Sequence, residues 1–256
     1  MQGGSPIGVF DSGIGGLSVL RALRAELPHE DFVYYADTGH APYGERDEPF
    51  VTQRSLECAL RLREMHEIKA LVVACNTATA AAIHLVRETH PGLPIIGVEP
   101  ALKPAAALTR SRRVAVLATR GTLASAKFKQ LHASLAQAAD FVLQPCDGLA
   151  AAIEANDAPR TAALCEQYTR AAGTFGSEPG QIDTLVLGCT HYPFAADEFR
   201  RLVGPGVQLV ETGEPVARQT RRLLEGAGLL KDSGPGSVKL FASGSREALS
   251  AAARWL

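Results

Sequence analysis

Short runs of β-branched and aromatic residues alternate with longer segments of helical period along the whole chain, and this alternation does most to limit the fold. The strand-like runs lie at 7–10, 32–36, 70–74, 94–98, 113–118, 141–144, 184–188, 207–210 and 238–242. Helical periodicity occupies 17–26, 50–66, 77–89, 123–136, 160–172, 195–202 and 216–225. Continuously apolar runs fit strands buried on both faces, and the helical segments between them supply the crossovers of a parallel sheet. The expected class is therefore α/β, mostly parallel sheet flanked by helices. The length, 256 residues, accommodates one large domain or two small ones at roughly 150 residues per domain.

An internal echo favours two halves. Lys69-Ala70-Leu71-Val72-Val73-Ala74-Cys75-Asn76-Thr77 aligns with Asp183-Thr184-Leu185-Val186-Leu187-Gly188-Cys189-Thr190-His191, and each copy places a cysteine directly after a strand. A second echo pairs Gly8-Val9-Phe10-Asp11-Ser12-Gly13 with Ala115-Val116-Leu117-Ala118-Thr119-Arg120. The offsets, 114 and 107 residues, are close enough to suggest similar α/β halves; the alternative is a chance match between apolar strands.

In open α/β sheets, ligands bind beyond the carboxyl ends of the strands. Polar residues reach that edge at Asp11-Ser12-Gly13-Ile14-Gly15-Gly16, Cys75-Asn76-Thr77, Ala118-Thr119-Arg120-Gly121-Thr122 and Cys189-Thr190-His191-Tyr192-Pro193. The glycine spacing of the first segment does not match the G-x-G-x-x-G dinucleotide fingerprint, so close backbone approach to a small anion is expected there instead. With 26 basic and 27 acidic residues and a net charge of -1, the chain is not built to hold nucleic acid or an anionic membrane. Its most hydrophobic stretch, 70–83, is interrupted by Asn76, Thr77 and Thr79, short of the ~18 apolar residues of a membrane span. The opening Met1-Gln2-Gly3-Gly4-Ser5 lacks the basic and apolar regions of a secretory leader. A cytoplasmic protein is expected.

The five cysteines (58, 75, 146, 165 and 189) are odd in number and widely spaced without C-x-x-C, which argues against a disulfide framework or a zinc site of usual spacing. Cys58, at helical spacing among Leu56, Leu60 and Leu62, reads as core, and Cys146 and Cys165 are treated alike. Cys75 and Cys189 differ. Each lies at a strand-to-helix junction, where N–H groups can lower a thiol pKa. Two thiols facing one cleft suit inversion of a stereocentre: one removes a proton from carbon and the other returns one to the opposite face. A disulfide switch is the other use, and nothing in the spacing supports it.

Five blocks in order, Asp11-Ser12-Gly13-Ile14-Gly15-Gly16-Leu17-Ser18-Val19-Leu20, Tyr35-Ala36-Asp37-Thr38, Pro42-Tyr43-Gly44, Ala74-Cys75-Asn76-Thr77-Ala78 and Gly188-Cys189-Thr190-His191-Tyr192-Pro193, resemble the bacterial glutamate racemases. The similarity runs from Ile7 to the terminal Ala253-Arg254-Trp255-Leu256. It implies cofactor-independent interconversion of L- and D-glutamate, supplying D-glutamate for peptidoglycan, by a homodimer. It also implies two similar domains, 1–98 plus 209–256 and 99–208, with the site between them. By motif match, Cys75 would be the base for the D-enantiomer and Cys189 for the L-enantiomer, assisted by Asp11 and His191. Ser12, Tyr43, Gly44, Asn76, Thr77, Thr119 and Thr190 would hold the carboxylates and ammonium. Glu154 aligns with the family's second-domain acid, or is a solvated helix glutamate; the lesser alternative for His191 is a core histidine satisfied by a carbonyl.

Two segments depart from the family pattern, Gly39-His40-Ala41 before Pro42 and Gln144-Pro145-Cys146-Asp147. No pyridoxal phosphate or metal is expected, because none of Lys69, Lys103, Lys127, Lys129, Lys231 and Lys239 lies in a strand-end motif. The rival readings are a related racemase acting on aspartate or a hydantoin, and a protein that binds an acidic amino acid without turnover.

Overall fold

In the computed structural model, which describes residues 4–244 and 246–256, every one of the apolar runs becomes a strand. They are β1 (Ile7–Asp11), β2 (Phe32–Ala36), β3 (Ala70–Val73), β4 (Ile95–Gly97), β5 (Arg113–Ala118), β6 (Asp140–Pro145), β7 (Thr184–Leu187), β8 (Gln208–Val210) and β9 (Val238–Ala242). The helices are α1 (Leu17–Glu26), α2 (Glu48–His66), α3 (Asn76–Thr89), α4 (Leu102–Leu108), α5 (Arg120–Ala124), α6 (Ala126–Ser134), α7 (Leu149–Glu154), α8 (Ala158–Ala172), α9 (Ala196–Val203), α10 (Gly213–Gly226) and α11 (Arg246–Ala252). The strands form two parallel sheets, ordered β4-β3-β1-β2-β9 and β6-β5-β7-β8.

Both faces of each sheet are covered, which is why the strands read as unbroken apolar runs. In β1, Ile7 and Val9 pack on Leu17, Leu20 and Leu23 of α1, whereas Phe10 faces Val51, Cys58 and Leu62 of α2. In the second sheet, Leu117 and Leu187 face one core while Val116 and Val186 face the other. Cys146 and Cys165 lie in the first of these cores, as expected of small apolar residues.

The two sheets repeat one another in order and in register. Phe10 pairs with Val73 across β1 and β3, and Leu117 pairs with Leu187 across β5 and β7. Leu71 pairs with Ile95, and Leu185 with Leu209. The echoes align Phe10 with Leu117, Leu71 with Leu185 and Val73 with Leu187. The second sheet runs further than the expected return point at 208, because β8 pairs with β7 from Gln208 to Val210. The chain then returns through α10 and lays β9 beside β2.

The helix expected over 123–136 is interrupted. Ser125 takes an extended backbone (φ −63°, ψ 146°) and its hydroxyl accepts the Phe128 N–H at 3.1 Å, so one helix ends there and another begins. Residues 1–3, on which much of the leader argument rests, lie outside the described residues. Among the described residues no helix is long and apolar enough to cross a membrane.

Asp183, immediately before β7, fastens the second sheet to the loop that precedes β5. Its carboxylate accepts from Thr109 Oγ1 (2.5 Å), the Arg110 and Ser111 N–H groups (both 2.7 Å) and Thr184 Oγ1 (2.9 Å). Burial pushes this carboxyl up, but the four hydrogen bonds more than offset it and hold it at about 2. Because the folded-state value lies below the ordinary 3.8, the stabilisation is present above about pH 4 and is lost as pH falls towards 2. Asp183→Asn is expected to cost about 2 kcal/mol at pH 7. Denaturation of both proteins at pH 7 and pH 2.5 checks this, and a gap of equal size at the two pH values would contradict it.

Candidate active site

The carboxyl edges of the two sheets meet around Asp11, the last residue of β1. Asp11 is fully buried, accepts the Gly13 N–H at 2.9 Å and receives the Thr190 hydroxyl from the other half at 3.3 Å. Tyr34 donates its hydroxyl to the Gly13 carbonyl at 2.6 Å. The Ser18 hydroxyl lies between the carbonyls of Gly15 (2.8 Å) and Thr190 (2.9 Å). The loop after β1 is thereby pressed into the second half.

That pressing explains the glycines. A Cβ on Gly13 would strike the Glu154 carboxylate, and one on Gly15 would strike the His191 ring and come within 2.8 Å of Thr190 Oγ1. The backbone does approach an anion closely, as the sequence suggested, but the anion is the protein's own. The Ile14 N–H donates to Glu154 at 3.0 and 3.2 Å. Glu154 Oε2 lies 2.5 Å from His191 Nε2, and His191 Nδ1 lies 3.8 Å from Cys189 Sγ. Glu154, at the end of α7, is thus part of the cleft and not a solvated helix glutamate.

The charged neighbours of the two thiols differ. Burial opposes a charge on His191, yet its hydrogen bonds to Cys189 and Glu154 and the Glu154 charge hold it well above the ordinary imidazole range. Burial likewise pushes Glu154 up, and the His191 contact brings it below its ordinary value. At neutral pH the pair is imidazolium and carboxylate. Asp11 is raised by burial to about 6, restrained by the His191 charge and the Gly13 N–H.

Cys75 caps α3: its sulfur accepts the Ala78 N–H at 3.4 Å and its thiol points to Ser12 Oγ at 3.7 Å. The helix does not make it a ready thiolate. Burial first, then the neighbouring Asp11 charge, push this thiol far up, which corrects the expectation of a lowered value. Cys189 is among the groups that act on Cys75, which places the two sulfurs within electrostatic reach of each other. Cys189 occupies the equivalent strand end, but a 3-10 turn (Tyr192–Ala195) follows before α9, so it is not a helix cap. Its partner is His191.

The remaining sequence-derived residues gather at the same edge, with one exception in orientation. Thr77 Oγ1 and Thr119 Oγ1 meet at 3.1 Å across the halves. Gly44 lies against Thr119. Asn76 is buried, and neither of its amide atoms has a hydrogen-bond partner, an arrangement that calls for a ligand or water. Tyr43, by contrast, turns its hydroxyl away to Asp37 Oδ2 at 2.6 Å, which leaves that hydroxyl committed within the protein. In the unusual Gly39-His40-Ala41 segment, the Gly39 N–H reaches Ser243 Oγ (3.0 Å) and His40 Nδ1 reaches Asp37 Oδ1 (3.0 Å).

Sequence reasoning did not assign roles to Ser18, Tyr34, Asp37 or Arg54. Asp37 carried a signal, because it follows β2 as directly as Asp11 ends the adjacent β1, and its N–H donates to the Asp11 carbonyl at 2.9 Å. Arg54 forks onto Asp37 through Nε (2.9 Å) and Nη2 (2.8 Å). A pairing 17 residues apart gave no such signal.

Paired α/β halves with a thiol at each equivalent strand end define a class, and comparison with known proteins agrees. The chain belongs to the Asp/Glu/hydantoin racemase family, whose model matches residues 7–220, and so to the isomerases. Its relatives carry a narrower name. The glutamate racemase of Methylococcus capsulatus is 49% identical over 245 residues, covering 94% of this chain and 88% of that protein. That of Cupriavidus pinatubonensis is 51% identical over 223 residues, 86% of this chain and 79% of the relative. Among solved structures, a glutamate racemase isoform from Bacillus anthracis superposes with a TM-score of 0.85 at 30% identity, covering 98% of this chain and 93% of that one. The Escherichia coli glutamate racemase, in complex with L-glutamate and the activator UDP-MurNAc-ala, gives 0.82 at 32% identity, with 98% and 95% covered.

The Glu154–His191 contact predicts a spectroscopic result. Nitrogen-15 NMR of the His191 ring should show both nitrogens protonated at pH 7. Glu154→Gln removes the negative charge that helps to raise the imidazole, so its titration should move to lower pH. A neutral ring in the unsubstituted protein at pH 7 would contradict the assignment.

Proposed function

We propose that the protein interconverts L- and D-glutamate by proton transfer between the α-carbon and two cysteines. The observation that carries this reading is the pair of buried thiols at matched strand ends, each beside a different acid–base partner: Cys75 near Asp11 and Cys189 near His191. In the L-to-D direction, Cys189 as thiolate takes the α-proton and Cys75 as thiol delivers a proton to the opposite face. The cycle leaves Cys189 protonated and Cys75 ionised, and the reverse direction exchanges the roles. Asp11 serves Cys75, while His191, oriented by Glu154, serves Cys189.

Ser12, Asn76, Thr77, Thr119 and Thr190, with the backbone at Tyr43 and Gly44, hold the substrate's carboxylates and ammonium. The orphaned Asn76 amide supports such a ligand. The reaction uses no cofactor; Lys69, the lysine nearest Cys75 in sequence, is engaged with Glu30 at 2.6 Å at the far end of β3. Activity is therefore expected to survive EDTA and carbonyl reagents. We place the protein in the cytoplasm as a homodimer that supplies D-glutamate for peptidoglycan, a location that the five free cysteines support. Its halves would be 1–98 plus 211–256 and 99–210, the expected boundary at 208 being moved past β8 so that this strand stays with β7, its partner.

Chiral analysis after incubation with L-glutamate, L-aspartate and a hydantoin tests the substrate. Racemisation of aspartate alone would move the assignment to another branch of the family, and turnover of none would favour a binding protein. In D₂O, D-glutamate formed from L-glutamate should carry deuterium at the α-carbon while residual L-glutamate initially does not. Cys75→Ser and Cys189→Ser should each lower racemisation by at least ~10²-fold; near-normal turnover by either variant would end the two-base mechanism.

A pH dependence follows from Asp11. If ionised Asp11 is needed, kcat with D-glutamate should fall as pH drops through about 6. His191→Asn removes the positive charge that restrains Asp11, so this acid limb should move to higher pH. A limb that stays in place, or moves down, would refute Asp11 as its source.

A further inference from the structure

We infer that Arg54 is a positioning residue for substrate binding, acting through Asp37 and Tyr43 on the backbone at Gly44. The inference rests on the glutamate reading above and names a residue that reading does not use. Asp37 is fully buried one strand away from Asp11 and accepts side-chain hydrogen bonds from the Arg54 fork, Tyr43 OH and His40 Nδ1. Burial pushes its carboxyl up, but these contacts, Arg54 foremost, bring it down to about 2. A buried carboxylate lacking a countercharge would protonate or open to water. Arg54, reaching in from α2, keeps both Asp37 oxygens available as acceptors.

What those oxygens hold is the 3-10 turn Tyr43–Glu45. The Tyr43 ring is fixed between Phe10 (centroids 6.2 Å apart) and Phe50 (6.3 Å), and its hydroxyl sets how deeply the turn sits. The turn packs against the second half. A Cβ on Gly44 would come within 2.7 Å of Thr119 Cγ2, and Glu45 Oε1 accepts the Gly148 N–H at 3.2 Å. With contacts this close on both sides, a displaced Tyr43 displaces Gly44 relative to Thr119 and Thr77. Misplacement of that size weakens binding of a small, fully held ligand.

Arg54 touches neither thiol's partner, so its loss should weaken ground state and transition state alike. That pattern raises KM and leaves kcat in place. Arg54→Met is expected to raise KM for both enantiomers of glutamate ~10-fold while kcat stays within ~2-fold. Arg54→Lys, which keeps the charge but loses the fork, should fall between. A well-folded Arg54→Met enzyme with unchanged KM, or with lower kcat at unchanged KM, would overturn the inference. Should Arg54→Met fail to fold, Tyr43→Phe removes only the hydroxyl contact and should still raise KM ~3-fold; an unchanged KM there overturns the inference equally. If the unsubstituted enzyme does not racemise glutamate in the same assay, the functional reading fails before Arg54 is in question.

Discussion

The cleft depends on a carboxylate from one half accepting an amide from the other. Glu154 sits largely out of solvent, and a charge there would cost several kcal/mol without compensation. The Ile14 N–H and the His191 ring provide that compensation, both at Oε2. One contact therefore both joins the halves and fixes protonation. It keeps His191 charged, and His191 in turn restrains Asp11, beside the other thiol. Losing either partner would leave an unpaired buried charge and loosen the seam that closes the cleft.

The scaffold is nearly symmetric and its chemistry is not. Strand order and register repeat between the sheets, so the two thiols reach equivalent places. Beyond those places the halves diverge: Cys75 caps a helix beside a carboxylate, and Cys189 precedes a 3-10 turn and lies beside an imidazolium. Mirror-image substrates in a chiral protein do not present mirror-image demands, because the side chain and carboxylates occupy one fixed set of contacts. In the proposed reaction each face is served by the group that its own surroundings permit.

The parts of this arrangement governed by local pattern could be read from sequence. Strands covered on both faces must be apolar throughout, so their positions and even the matching register of the halves were visible in the two echoes. Cys75 and Cys189 were marked by their place after a strand. Features set by tertiary contact were not visible. The split at Ser125 depends on a single hydroxyl, and α4 and α7 are too short to display a period. The raised Cys75 thiol reflects burial that no local motif announces. Tyr43 was expected among the substrate-holding residues, and only the fold shows that its hydroxyl is taken by Asp37; Arg54 carried no signal at all.

The placement of β9 bears on how the molecule assembles during synthesis. The second sheet is drawn from one uninterrupted stretch between β5 and β8, whereas the first needs β2 to join a strand that begins at Val238, some 200 residues later. Closing so long a loop carries a larger entropy cost than closing the short ones inside the second sheet. The inner half can thus complete its strand pairing while the outer half still waits for its edge, and β2 stays an open, pairable edge until β9 has left the ribosome.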